Sequence, residues 1–333
     1  MKILVVRFSS IGDVVLTTPV IRCLKQQLPN AEIHYITKKA FEPVLRGNPY
    51  IDKLICIDKS ASEVVEILKN ERYDFVADLH NNIRTLHLKL SLGVKSKAFP
   101  KLNPRKLLLT RFKVNMMPDV HIVDRYFEAV KPLGVRNDGK YCELFLDASD
   151  RYVVPEDFQN GYVALSLGAQ YETKQMPLEL ITKVLSGVEM PLVLLGGPTD
   201  IARSKELMRL LPGKKMLNLA GEITLRQSAY VLSQAQALLT GDTGLMHIAS
   251  CFGVKTVSVW GNTVPEFGMY PYAPKENYTI HEVDGLSCRP CSKIGYHSCP
   301  RKHFNCMHLQ NPELIAGAIQ KFTLNPQTGR EAQ

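Results

Sequence analysis

Nine short runs, four to six residues long and dominated by Val, Ile and Leu, recur along this chain with helical patterns between several of them. In the first half they are Lys2 to Val6, Glu32 to Thr37, Leu54 to Asp58, Phe75 to Leu79 and Tyr141 to Leu146. In the second they are Tyr162 to Leu167, Leu192 to Leu195, Ala237 to Thr240 and Thr256 to Trp260. Continuous apolar runs of this length mark strands buried on both faces, and strand–helix alternation builds parallel sheets. The polar stretch 147–161 separates the two series, so two α/β units are expected, with the boundary at 150/151. A length of 333 residues suits two domains better than one core.

Composition narrows the class further. With 45% hydrophobic and 22% charged residues, the chain is neither disordered nor collagenous. No apolar stretch approaches the ~18 residues of a spanning helix, and the Ile3 to Val6 run is cut by Arg7, too short for a signal-peptide core. A cytoplasmic location is expected, where eight cysteines are free thiols or metal ligands rather than a disulfide framework. The net charge of +9 is regional: residues 79–118 hold nine Lys or Arg and no Asp or Glu. Such a segment is either a solvated basic face or the footprint of an anionic partner.

Three segments carry candidate chemistry, each following a strand. Arg7-Phe8-Ser9-Ser10-Ile11-Gly12-Asp13 follows the first run. At the carboxyl end of a parallel strand, a Ser-Ser-x-Gly turn exposes backbone N–H groups, and Asp13 is either a general base or a turn or cap residue. Ser166 to Pro177 is the second, in which Lys174 is either a cation that reaches a phosphate oxygen and neutralises leaving-group charge or a solvated surface lysine. The third, Thr240-Gly241-Asp242-Thr243-Gly244-Leu245-Met246-His247, runs from strand through a glycine-bracketed turn into a helix. That is a phosphate cradle without a Walker lysine, and Asp242 is expected to cap the helix. Thr224 and Gln227 have capping-box spacing, Thr18-Pro19 opens an earlier helix, and Asn311-Pro312 opens a last one.

Taken together, R-F-S-S-I-G-D-V-V-L-T-T-P, G-A-x-x-x-T-K-x-x-P and G-D-T-G-L-M-H-I-A-S-C-F-G-V-K-T-V-S-V-W-G-N-T resemble the ADP-heptose:lipopolysaccharide heptosyltransferases of glycosyltransferase family 9. The resemblance spans nearly the whole chain. It implies a GT-B fold of two Rossmann-like domains facing across a cleft: an acceptor domain over 1–150, a sugar-nucleotide domain over 151–310, and over 311–333 a C-terminal helix returning to the first domain, then a tail. It implies inverting transfer of a heptose or related sugar from an ADP-sugar to an acidic lipopolysaccharide inner-core acceptor, with no cofactor or metal needed for catalysis. Asp13 and Lys174 match the family's catalytic residues, and Ser9, Gly12, Thr173, Lys174, Asp242, Thr243, Gly244 and His247 its donor contacts. Arg226 stands where the family often has a ribose-contacting Glu, and a guanidinium cannot accept hydrogen bonds from ribose hydroxyls.

The expected partners are therefore an ADP-sugar and an anionic lipid-linked saccharide met transiently at the inner membrane surface. Lys101, Arg105 and Lys106 are the acceptor-binding candidates. A sugar-nucleotide epimerase of the same fold would use the same donor site without a lipid acceptor. A nucleic-acid-binding module would explain the cations, but residues 79–118 offer few aromatics for base stacking, so no nucleic acid is expected. Finally, Cys288-x2-Cys291-x7-Cys299-x6-Cys306 has a knuckle spacing that fits a structural zinc site, with packed thiols and one labile disulfide as the alternative.

Overall fold

The structure, a computed structural model, describes residues 1–324. The chain divides into two compact units, residues 1–103 with 118–147, and residues 104–117 with 148 onward. The boundary thus falls three residues before the expected one. Residues 104–117 are also contributed by the first half of the chain to the second unit, which local sequence patterns do not foreshadow.

The first unit is built on a five-stranded sheet of β1 (Lys2–Val6), β2 (Glu32–Lys38), β3 (Lys53–Ile57), β4 (Phe75–Asp78) and β5 (Ser96–Ala98). All pairings are parallel, in the order β3-β2-β1-β4-β5. Ile3, Leu4, Val5 and Val6 are fully buried because β1 sits centrally with helices over its faces. The helix Thr18–Gln27 begins one residue earlier than Thr18-Pro19 suggests, with Thr17 as N-cap, and buries Val20, Ile21 and Leu24. Tyr141 to Leu146 is not a strand. Its segment is tied to side chains instead: buried Arg22 donates to the Tyr141 carbonyl and pairs with Asp138 and Glu143, and the Thr18 hydroxyl accepts from the Glu143 amide.

The second unit holds a six-stranded parallel sheet of β6 (Val163–Ser166), β7 (Leu192–Leu195), β8 (Met216–Asn218), β9 (Ala237–Gly241), β10 (Lys255–Val259) and β11 (Tyr278–His281), ordered β11-β10-β9-β6-β7-β8. The helix Pro312–Leu324 belongs here rather than with the first unit. It packs on the helix Leu178–Ser186 and on β9 and β10, and places Ile315, Ile319 and Phe322 in the second core. Residues 325–333, the expected tail, lie outside the described residues.

In each sheet the strand order reverses at one point. β1 is succeeded on one side by β2 and flanked on the other by β4, and β6 lies between β7 and β9. Open parallel sheets bind ligands at the carboxyl ends of the strands beside this switch point. Asp13 follows β1, Lys174 follows β6, and the Asp242-Thr243-Gly244 turn follows β9.

Candidate active site

In the first unit, β1 runs into the helix Ile11–Val15, with Ser10 as N-cap and Asp13 three residues on. Asp13 does cap this helix: its Oδ2 accepts from the Ser10 hydroxyl at 2.8 Å and the Ser10 amide at 3.2 Å. Its other oxygen is not spent on capping. Oδ1 lies 2.5 Å from Arg7 Nη2 and accepts from the Tyr126 hydroxyl at 3.4 Å. Cap and candidate base are one carboxylate, and the capping bonds fix the side chain that would take a proton.

Arg7 is the hub of this corner. Its remaining N–H groups donate to the Ser9 carbonyl at 2.7 Å and the Leu79 carbonyl at 2.6 Å, and the guanidinium stands over the Tyr126 ring. Burial opposes its charge, yet Asp13 together with the Tyr126 and Tyr35 hydroxyls more than offsets that and raises its pKa. From the end of β4 comes His80, its ring tilted against that of Phe8 with centroids 5.1 Å apart. Burial first, then the nearby cations Arg7 and Lys101, lower its pKa to about 4, so its ring is neutral near pH 7. Its Nδ1 is buried without a hydrogen-bond partner among the described residues. Lys101 Nζ donates to the His80 and Asn81 carbonyls, which places it in this corner. Arg105 and Lys106 belong to the second unit, where Lys106 lies over the Phe267 ring, so the three acceptor candidates do not form one cluster within a unit.

In the second unit, the turn after β9 leads into the helix Gly244–Cys251. Thr243, not Asp242, is the N-cap. Its hydroxyl is engaged with Thr240 at 2.9 Å and Ser166 at 3.4 Å, and the helix has no side-chain cap. Uncapped N-terminal amides at the positive end of a helix dipole suit a phosphate. Asp242 instead accepts from the Thr263 hydroxyl at 2.9 Å and pairs with Lys174 Nζ at 2.5 Å. Gly241 lies beneath this loop: a Cβ there would come 2.6 Å from the Lys174 carbonyl oxygen. Thr173 is buried and exchanges hydrogen bonds with the Tyr296 backbone, so it holds the loop in place. His247 is buried on the helix.

Two expectations change. Arg226 is buried and gives Asp150 a bidentate pair, Nε to Oδ1 at 2.8 Å and Nη2 to Oδ2 at 2.5 Å. Its charge is therefore compensated inside the unit. The capping box Thr224/Gln227 that starts its helix is present as the spacing predicts.

The structural zinc site is not supported. Cys288 Sγ lies 3.8 Å from His303 Nε2, and burial raises the Cys291 pKa and takes that of Cys306 to about 12, with neighbouring thiols adding to both. Yet Cys288, Cys291, Cys299 and Cys306 are not gathered around one metal-sized point. Among the described residues, the group of three potential ligands within 4.8 Å of one another is Glu32, His34 and Glu71. Lys2 and Lys53 already pair with Glu71 there. The cysteine segment is held by other means: Lys113 donates to the Cys288 and Pro290 carbonyls, and Arg289 bridges Gly261, Thr263 and Glu282.

Sequence reasoning quoted Arg7 only as part of a motif, and it missed Tyr126 and His80. The usable signal for His80 was its place directly after an apolar strand, in Asp78-Leu79-His80-Asn81.

Two parallel Rossmann-like sheets with candidate residues at their switch points define a GT-B protein. Residues 62–298 match the family pattern described as glycosyltransferase family 9 (heptosyltransferase). The chain belongs to that family, and its activity is glycosyl transfer. It is 24% identical over 287 residues to lipopolysaccharide heptosyltransferase 3 of Escherichia coli K12, covering 76% of this chain and 80% of that protein. Among solved structures, it is similar to the glycosyl transferase family 9 protein of Veillonella parvula, with a TM-score of 0.77 at 22% identity and 97% of each chain covered. It is also similar to the E. coli ADP-heptose lps heptosyltransferase II, with a TM-score of 0.71 at 19% identity, covering 97% of this chain and 99% of that one. These likenesses show the fold. Among the described residues, no helix is long and apolar enough to cross a membrane.

Proposed function

We propose that this protein transfers a heptose from ADP-heptose to an anionic, lipid-linked inner-core saccharide, inverting the anomeric carbon, with Asp13 as general base. The observation that carries the reading is the Asp13 carboxylate, fixed at the end of β1 by a hydrogen bond from Ser10 and a pairing with Arg7. As the acceptor hydroxyl bonds to the anomeric carbon its acidity rises, so a weak carboxylate base suffices to take the proton. The bond from that carbon to the diphosphate breaks on the opposite face, and ADP departs with the electron pair.

The growing diphosphate charge falls to Lys174 and to the amides of Thr243 and Gly244, with Asp242 orienting the lysine. Ser9 and Gly12 contribute the turn beside Asp13, Thr173 fixes the Lys174 loop, and His247 belongs to the donor helix. On this reading Lys101 meets the acceptor's acidic groups, with Arg105 and Lys106 as further cations. The partner is a saccharide rather than a nucleic acid. The relatives' names support the donor and acceptor classes.

The test is Asp13→Asn, a near-isosteric change that removes the base. ADP affinity should stay within a few-fold while turnover falls by ~10² to 10⁴. Turnover like the wild type's would overturn the assignment.

A further inference from the structure

Residues 104–117 combine three properties. They are firmly anchored: Leu109 is 6% exposed in a cluster with Val264 and Phe267, and Lys113 Nζ donates to the Thr110, Cys288 and Pro290 carbonyls. They expose large apolar side chains all the same, with Leu107 at 59%, Phe112 at 64%, Val114 at 49% and Met116 at 55%. The segment also carries Arg105, Lys106, Arg111 and Lys113 and no acid, with Arg105 and Arg111 exposed.

We infer that this segment is a membrane-docking element and that its partner is an anionic phospholipid bilayer. The inference deepens the reading above, in which the acceptor is lipid-linked, and says which surface meets the lipid. Apolar side chains interleaved with cations suit the boundary between acyl chains and anionic headgroups, where the apolar groups leave water while the cations keep charged partners. A second copy of the chain fits worse. Symmetric pairing of this patch on itself would set its cations against their own kind, with no acid in the segment to offset them. The anchors matter as much as the exposure, because a held segment loses little conformational entropy when its side chains enter the interface.

The experiment uses the full chain and vesicles free of acceptor sugar, so it does not depend on the transfer chemistry. Vesicles of phosphatidylcholine with roughly one-third phosphatidylglycerol should sediment the protein at ~0.1 M salt, and pure phosphatidylcholine should not. Leu107→Ser/Phe112→Ser should lower partitioning about tenfold or more, since two large side chains no longer gain from leaving water, while ADP affinity stays unchanged. Phe112→Trp is a second, gentler variant. The chain's own tryptophan, Trp260, is buried, so a blue shift on adding anionic vesicles reports the new side chain. Wild-type protein that binds ADP but not anionic vesicles would overturn the docking element and leave the transfer reading standing. Equal partitioning of the double variant and the wild type would also overturn it. So would a concentration-dependent dimer that the double variant abolishes, which would assign the face to a second copy.

Discussion

Replacing Arg7 by Met should move the acid limb of the pH–rate profile upward, by an amount the geometry bounds. Arg7 Nη2 lies 2.5 Å from Asp13 Oδ1, and the two side chains are 8% and 19% exposed, so solvent screens the pair only in part. Of the neighbouring titratable groups, His80, Tyr126 and Tyr35 carry no charge near pH 7, while Lys101 adds a second cation to this corner. His80 titrates at about 4 because it is buried, and burial pushes the Tyr126 and Tyr35 hydroxyls upward. An opposite charge at this range favours the carboxylate by ~1 to 3 pH units. The sign follows directly: the active form is ionised, Arg7 favours it, and without Arg7 the proton binds at higher pH. The limb of kcat/KM should therefore rise by ~1 to 3 units, with activity near pH 8 much less affected than activity below pH 6. The Ser9 and Leu79 carbonyls lose their donors, at ~1 to 3 kcal/mol for each that stays buried and unmet, so the melting temperature should fall as well. Arg7→Lys separates the two effects, since it keeps the charge with fewer donors and should lose stability while moving the limb little. ADP release measured across pH, on protein verified as folded, reads both. A folded Arg7→Met variant with uniformly lower activity and an unmoved acid limb would reduce Arg7 to a structural part and refute the coupling.

Arg226→Met should destabilise the second unit by ~3 to 5 kcal/mol in urea melts, because it strands the buried Asp150 carboxylate without its bidentate partner. Arg226→Met/Asp150→Leu should recover most of that loss, and ADP calorimetry on the folded variants should be unchanged. Gly241→Ala should weaken ADP binding by about tenfold or more, since its Cβ would sit 2.6 Å from the Lys174 carbonyl oxygen and force that loop to shift. Gly317→Ala is the matched control: apart from its chain neighbours and its own helix backbone nothing lies within 4 Å of the added Cβ, and in mid-helix it should stabilise by ~0.5 to 1 kcal/mol with no effect on ADP affinity.

The strands that sequence patterns reveal are those whose burial demands an unbroken apolar run, such as Ile3 to Val6 and Leu192 to Leu195. β5, β8 and β11 escape because they lie at sheet edges and bury none of their residues, whereas β3, also at an edge, buries Ile55 and Ile57 and stays legible. Tyr141 to Leu146 errs the other way, being apolar enough for a strand but bound to Arg22 and Thr18 from a helix. The same distinction divides the candidate sites. Asp13, Lys174 and the 242–244 turn were legible because each follows its own strand in sequence. Tyr126 reaches Asp13 only through helix packing, which no local pattern encodes, and His80, although it follows β4 in sequence, is brought beside Phe8 and Arg7 by sheet order.

Charge shows most clearly how far counting residues can go. The acid-free stretch 79–118 suggests one uniform basic field, but several of its cations are already engaged. Lys89 pairs at 2.8 Å with fully buried Asp78, the residue just before the stretch begins, while Lys101 and Lys113 hold backbone carbonyls. Arg84, Lys95 and Lys97 remain exposed in the first unit, and Arg105 and Arg111 in the second. A count of nine cations therefore overstates the field that any single partner meets. The same chain segment serves two ends: Lys101 braces the corner that holds Asp13, and the residues after Asn103 present cations together with unburied Leu107 and Phe112. Charge reversal at Lys101 should then alter transfer to acceptor without changing vesicle binding, and serine at Leu107 and Phe112 should do the opposite on a delipidated acceptor. If both changes moved both readouts together, the segment would be acting as one undivided surface, and the separation drawn from the two units would be wrong.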